Sequence, residues 1–248
     1  MIEVKNVSKG FNGKLILDNV SHTFEKGKIN LIIGSSGSGK TVLVKCMVGL
    51  FEVDSGRIEY DGRNFSEMDF VERKPIRQEI GMLFQGSALF DSMTVERNVM
   101  FPLMMLSNMS SSERLDRANF CLQRVNLPNS NKLFPSELSG GMKKRVAIAR
   151  AIAMNPKYLY CDEPNSGLDP KTSIVIDELI MEITEEYQMC TVINTHDMNS
   201  VITMGENILF IHEGKKWWSG KSNEIFNADN QKLDEFIFAS KIMQNIRK

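Results

Sequence analysis

Cysteine is scarce in this sequence and scattered: its 4 cysteines, Cys46, Cys121, Cys161 and Cys190, form no Cys-x-x-Cys pair. That spacing suggests neither a zinc site nor a disulfide framework, and the residues read as small members of a core. Long apolar runs are missing too. The longest strongly apolar stretch, residues 99–106, falls far short of the roughly 18 residues a spanning helix needs and contains Pro102. Nor is there an excess of one charge, since 30 Lys and Arg against 31 Asp and Glu leave a net charge of -1. A global field that recruits nucleic acid or an anionic membrane is thereby excluded, and nucleic acid is not expected as a partner. Met1-Ile2-Glu3-Val4-Lys5 alternates like a strand and lacks the regions of a secretory signal, so the chain is expected in the cytosol. No internal repeat or low-complexity segment is visible.

What is present is an ordinary globular composition, 248 residues with 42% hydrophobic and 25% charged, enough for one large domain or two small ones. Alternating segments at 2–8 and 15–24 flank Asn12-Gly13, a hairpin signal that gives an antiparallel start. Residues 28–33 form a short apolar run, as in a strand buried on both faces. A glycine-rich turn follows, then helical spacing over 40–50. Strands are expected at 57–60 and 80–84. From about 90 to 156 only helical spacing remains, and strand signals return at 158–161, 190–194 and 207–211 with a helix over 172–187. This alternation implies a parallel sheet. Glu213-Gly214 reads as a hairpin turn with Trp217-Trp218 on its return strand, and 232–246 as an amphipathic C-terminal helix.

Gly34-Ser35-Ser36-Gly37-Ser38-Gly39-Lys40-Thr41 fits G-x-x-x-x-G-K-[ST]. Small residues there let backbone N–H groups wrap a polyphosphate at a helix N-terminus, with Lys40 on the β and γ oxygens and the Thr41 hydroxyl on Mg²⁺. Asp162 and Glu163 emerge from an apolar strand at the end where such sheets hold ligands. Asp162 suits outer coordination of Mg²⁺. Glu163, pointing oppositely in an extended chain, can orient a water for attack on the γ-phosphate. Ser139-Gly140-Gly141 opens a basic, alanine-rich helix and forms either a second anion site facing another copy's nucleotide or an ordinary serine cap.

These motifs, in order from Phe11 to His196, resemble the ATPase subunit of ATP-binding cassette (ABC) transporters. The resemblance implies a P-loop NTPase fold of α/β class: a RecA-like mixed sheet core at about 1–89 and 157–230, an N-terminal antiparallel β subdomain, an inserted helical subdomain at about 90–156 and a C-terminal helix at about 231–248. It gives Phe11 the aromatic that stacks on adenine, and Gln85 the Q-loop glutamine, a Mg²⁺ ligand. Ser139, Gly140 and Gly141 take the signature positions, Ser166-Gly167-Leu168-Asp169 the D-loop, and His196 the switch histidine. ATP and Mg²⁺ are the implied cofactors. The family also implies a head-to-tail homodimer and permease subunits, at the cytoplasmic face of the inner membrane. Phe11, Met142 and Asn165 depart from the commonest residues at their positions, but Glu163 and His196 imply a hydrolytically competent site.

Residues 83–95, Leu-Phe-Gln-Gly-Ser-Ala-Leu-Phe-Asp-Ser-Met-Thr-Val, and Met142 after the signature glycines look like the ATPases that work with Mce-type lipid-transport permeases, a group in which a small accessory regulatory subunit is a further expected partner. Glu96-Arg97 departs from the aromatic-Glu pair of that group. Methionine is concentrated nearby, at Met93, Met100, Met104, Met105 and Met109; on spacing these either fill the core of the helical block or, as flexible thioethers, line a groove that receives another protein's helix, and the family resemblance favours the groove. The competing function is a soluble single-cassette ATPase of a cluster-assembly or cell-division complex.

Overall fold

The computed structural model describes residues 1–238, and the chain divides into two compact units, residues 1–73 with 192 onward, and residues 74–191. The first unit opens with β1 (Ile2–Phe11) and β2 (Lys14–Phe24). Asn12 and Gly13 join them at φ 50° and 77°, the left-handed pair that a two-residue hairpin turn needs. Ile2, Val4 and Val7 of β1 and Leu17, Val20 and Phe24 of β2 are buried. The register slips where Asn6 and Asn19 both sit at φ 53°. Their amides are satisfied by hydroxyls, Asn6 N donating to Ser21 Oγ at 2.8 Å and Asn19 N to Ser8 Oγ at 3.0 Å.

β3 (Ile29–Ile33), buried throughout, leads through the glycine-rich loop to α1 (Lys40–Met47). The helix ends just before Gly49, the residue at which its stop is expected. Gly49 turns left-handed at φ 73° and the Leu50 amide closes back onto Lys45 O at 2.8 Å, a glycine C-terminal closure. β4 (Ser55–Tyr60) and β5 (Arg63–Asn64) complete a sheet of order β2-β1-β4-β5. The buried Tyr60 hydroxyl donates to Met47 O at 2.7 Å and pins the end of α1 to that sheet.

The second unit contains α2 (Lys74–Gln78), β6 (Ile80–Leu83), α3 (Val95–Leu106), α4 (Ser111–Arg124), α5 (Gly140–Ile152), β7 (Tyr158–Asp162) and α6 (Pro170–Tyr187). The stretch from 90 to 156 is free of strands, as its periodicity predicts. Val95, Val99, Leu103, Ala118, Leu122 and Val146 form the shared core of α3, α4 and α5. Ser110 and Glu113 form a reciprocal capping box that starts α4. β6 and β7 pair in parallel.

Gly81 of β6 lies directly under α5: a Cβ there would fall 2.4 Å from Ala151 O. Gly81→Ala is therefore expected to cost about 1–3 kcal/mol of stability through overpacking. An unshifted denaturation midpoint would show that strand and helix have slack between them.

β8 (Cys190–Asn194) begins in the second unit and ends in the first. There α7 (Met198–Met204), β9 (Asn207–His212), β10 (Lys215–Gly220) and α8 (Gln231–Ile237) follow. Strand order in this unit is β10-β9-β3-β8, with β3 and β9 parallel. The Glu213-Gly214 turn, at φ 47° and 75°, returns into β10, which carries both tryptophans as expected, Trp217 edge-on to His212. The expected C-terminal helix starts at Gln231, runs to Ile237 and packs on its own unit, the Phe236 and Phe210 rings lying 5.5 Å apart; the part of the expectation that falls on 239–246 lies outside the described residues. All 4 cysteines are buried, as the sequence suggests, and burial pushes the thiols of Cys46 and Cys121 up to about 11.

Candidate functional site

In the first unit the loop of residues 34–39 joins β3 to α1, and its backbone needs glycine. Gly34, Gly37 and Gly39 lie at φ 148°, 77° and 108°. At Gly34 a Cβ would also fall 2.1 Å from Ile211 O and 2.8 Å from Ser38 Oγ. The Gly214 amide donates to Ser38 O at 3.0 Å, so the β9–β10 turn braces the loop. Lys40 is 7% exposed and its ammonium folds back on the loop, donating to Gly34 O at 2.7 Å and Ser35 O at 3.0 Å. Ser38 Oγ is buried with no hydrogen-bond partner. A buried orphan hydroxyl beside an inward-folded lysine, with Ser35, Ser36 and Gly37 exposed around them, is a cradle whose donors suit an anion.

Around that cradle, Asn194 at the end of β8 donates through Nδ2 to Thr41 Oγ1 at 3.2 Å. Sequence reasoning missed this residue, because nothing local in a buried strand marks its last side chain as polar contact for a helix start. His196 follows two residues later on an exposed segment, where the Asp197 amide donates to Thr195 Oγ1 at 3.0 Å. Phe11, at the hairpin tip, is 38% exposed and edge-on to Phe51 at 5.1 Å. Asp54 steadies it, accepting from Lys9 Nζ at 2.6 Å and from the Gly10 amide at 2.7 Å.

In the second unit Asp162 is the last residue of β7 and Glu163 follows it at φ 49°. The extended chain on which the alternation of Asp162 and Glu163 was expected therefore ends at Asp162. The chain turns left-handed at Glu163, and this turn sets the carboxylate's direction. Beyond it the Ser166 amide closes onto Glu163 O at 3.1 Å, and Asn165 Nδ2 donates to Asp177 Oδ1 at 2.8 Å. Gln85 comes to the same turn, its Nε2 donating to Ser166 Oγ at 3.4 Å. Asp169 caps α6, accepting from the Thr172 amide at 3.1 Å and the Thr172 hydroxyl at 2.5 Å; these bonds hold its carboxyl below the usual range. Ser139 caps α5, its Oγ accepting from Met142 N at 3.2 Å. Gly140 and Gly141 form the first turn of that helix, so the serine-cap reading describes the contact within one copy.

An apolar groove of about 380 Å³ lies in the same unit, lined chiefly by Phe84, Ala88, Phe90, Phe101, Pro102 and Leu106. Phe90 and Phe101 pack with ring centroids 4.6 Å apart. Asn98, fully buried, holds the segment before α3: its Nδ2 reaches the carbonyls of Phe90, Met93 and Thr94 at 3.1 Å, and its Oδ1 accepts from the Phe90 amide at 2.8 Å. The methionines singled out in the sequence do not line the groove. Met104, Met105 and Met109 are 50%, 67% and 37% exposed, while Met82 and Met154 are the thioethers in its wall.

Residues 17–166 match the sequence model of the family described as ABC transporter. The methionine import ATP-binding protein MetN of Campylobacter jejuni is 38% identical, over 96% of this chain and 75% of that protein. The probable ribonucleotide transport ATP-binding protein mkl of Mycobacterium leprae is 34% identical, over 97% and 70%. Among solved structures, a bacterial ABC transporter cassette determined as a dimer superposes with a TM-score of 0.81 at 33% identity, covering 90% of this chain and 99% of that one. The same cassette is known in a dimeric post-hydrolysis state with ADP and Pi. The cbiO1 protein of Clostridium perfringens, part of an ABC transporter complex, superposes with a TM-score of 0.86 at 27% identity over 100% and 98%. The fold, the phosphate-type loop and these likenesses together make the chain a member of the ABC transporter family, an ATP-binding cassette of the P-loop NTPase class that hydrolyses ATP with Mg²⁺.

Proposed function

We propose that this chain is the subunit that powers a membrane transporter by closing, as a head-to-tail homodimer, around two ATP molecules. The observation that carries the reading is the loop of residues 34–41, where Lys40 is held on the Gly34 and Ser35 carbonyls and the Ser38 hydroxyl is orphaned. Polyphosphate gives that hydroxyl a partner and draws the ammonium from neutral carbonyls to anionic oxygens, a stronger contact. Phe11 stacks on the adenine. Thr41, Asp162 and Gln85 offer hydroxyl, carboxylate and amide oxygens, hard donors of the kind Mg²⁺ takes. When bound, the ion neutralises charge on the β and γ oxygens.

Glu163 orients a water and accepts its proton as the water oxygen bonds to the γ-phosphorus. The bond from phosphorus to the β–γ bridging oxygen breaks, and ADP leaves. His196 contacts the γ-phosphate and so reports its presence. Ser139, Gly140 and Gly141 of one copy close the phosphate loop of the other, at the positive end of α5, and Asp169 stands at the same junction of copies. Dimers among the solved relatives support this arrangement.

In this reading the apolar groove seats a permease helix and the chain works at the cytoplasmic face of the inner membrane. No helix among the described residues is long and apolar enough to cross a membrane, so transport requires that partner. A small accessory regulatory subunit is a further partner of this reading; nucleic acid is not. Leu106→Glu, on the exposed rim of the groove, is expected to abolish co-purification of permease from detergent-solubilised membranes while leaving basal ATPase within about twofold, because a surface charge costs the fold little. Permease retained at wild-type yield would exclude the groove as its seat.

For the cargo, residues 83–95 and Met142 favour a lipid moved by an Mce-type permease. The methionine importers among the relatives favour methionine as the second reading. Phospholipid analysis of the captured complex, alongside labelled methionine uptake in a strain lacking the chain, separates the two. Co-purifying phospholipid with unchanged uptake supports the first, and lost uptake without lipid supports the second.

A further inference from the structure

Two cations of α5 are engaged by the loop that follows β6. Lys144, only 3% exposed, donates through Nζ to the Gln85 carbonyl and, at 3.5 Å, to the Glu163 carbonyl. Farther along the helix Arg150 donates through Nη1 to Ala88 O and through Nη2 to Ser87 O, each at 2.7 Å. The loop between these contacts is strained. Ser87 and Ala88 lie at φ 63° and 46°, the left-handed region that non-glycine residues adopt only when their surroundings impose it. The strand that feeds the loop is pressed onto the same helix at Gly81, beneath Ala151 O.

Burial works against both charges, holding Lys144 and Arg150 below their ordinary values. Exposed to solvent, neither would bear that penalty. Lys144 is instead buried and Arg150 half-buried, both aimed at backbone carbonyls of one short loop, and neither has a part in the mechanism above.

We propose that Lys144 and Arg150 are positioning residues for ATP hydrolysis: they clamp residues 85–88, with Ser87 and Ala88 left-handed, in the loop conformation that directs the Gln85 side chain, and Lys144 ties that loop to the backbone of Glu163. The proposal rests on the reading that Gln85 and Glu163 act at the γ-phosphate. It makes the signature helix, whose N-terminus carries Ser139, the element that sets where Gln85 stands.

The test combines hydrogen exchange with a double-mutant cycle on the purified chain. Without nucleotide, Lys144→Met and Arg150→Met should speed exchange of the amides of residues 84–90 by at least about tenfold, with peptides of α4 and α6 unchanged. With Mg-ATP each should lower kcat by about tenfold and leave KM for ATP within about twofold, since the phosphate loop is untouched. Arg150→Lys, which keeps one donor, should recover part of that loss. In a Gln85→Ala background the same substitutions should change kcat by less than about twofold, because residues acting through one group do not add. Wild-type exchange in a folded Lys144→Met chain, or a full tenfold loss still present in the Gln85→Ala background, would overturn the clamp. If Gln85→Ala alone turns over at the wild-type rate, the role of Gln85 fails, and the exchange result still decides whether the clamp exists.

Discussion

Glu163→Gln should lower the rate of ATP hydrolysis by a factor on the order of 10²–10⁴, the usual worth of a positioned general base, while ATP binding stays close to wild type. The amide has nearly the shape of the carboxylate, so the left-handed turn at φ 49° and its closure by the Ser166 amide at 3.1 Å remain. Asp162 is untouched at the end of β7. What is lost is an oxygen able to take the proton of the attacking water. Binding and turnover then separate. In the proposed head-to-tail pair, ATP that is bound but not cleaved should hold the two copies together, since a γ-phosphate joining Lys40 of one copy to Ser139 of the other would persist. Single-turnover hydrolysis measures the first effect. Hydrolysis at the wild-type rate would remove Glu163 from the mechanism and direct attention to His196.

Lys40→Ala should produce the second large effect, on binding. The ammonium is nearly buried and already held by the Gly34 and Ser35 carbonyls at 2.7 and 3.0 Å, so it meets phosphate with little further loss of side-chain freedom. A charge-assisted hydrogen bond of about 1.5–3 kcal/mol corresponds to a rise of roughly 10–100-fold in the Kd for ATP. Calorimetric titration reads this directly. Thermal melts give an independent check, because ATP raises the midpoint only in proportion to the logarithm of its concentration over Kd, and that rise should shrink or vanish in the variant. Unchanged affinity would contradict the role assigned to the loop.

The features legible in the sequence are those whose cause is local. The glycine-rich turn of the phosphate loop, the Asn12-Gly13 turn and the strand at 190–194 follow from backbone sterics and from runs of apolar residues, and the structure has each where it is expected. The contacts of Lys144, Arg150, Asn98 and Asn194 were hidden for the opposite reason. Each side chain is spent on a backbone carbonyl or a hydroxyl that only the folded chain brings near. A basic helix such as 143–153 reads as a positive helix end until its partners are known. Glu163 shows the same limit at a single residue. The alternation rule assumes that the strand continues, and the φ of 49° ends it. The methionines of 93–109 mislead because thioether chemistry suits a groove wall and an exposed rim equally, and only packing tells which face each occupies.

Whether two copies join through ATP at the phosphate loop and the start of α5 is decided by sedimentation velocity of Glu163→Gln with and without Mg-ATP, repeated with Ser139→Arg added to the same chain. The predicted result is a dimer of Glu163→Gln that forms only with Mg-ATP and is lost in the doubly substituted chain, where an arginine replaces the hydroxyl at the helix start. A mass that ignores ATP, or an ATP-dependent dimer that survives Ser139→Arg, would contradict it.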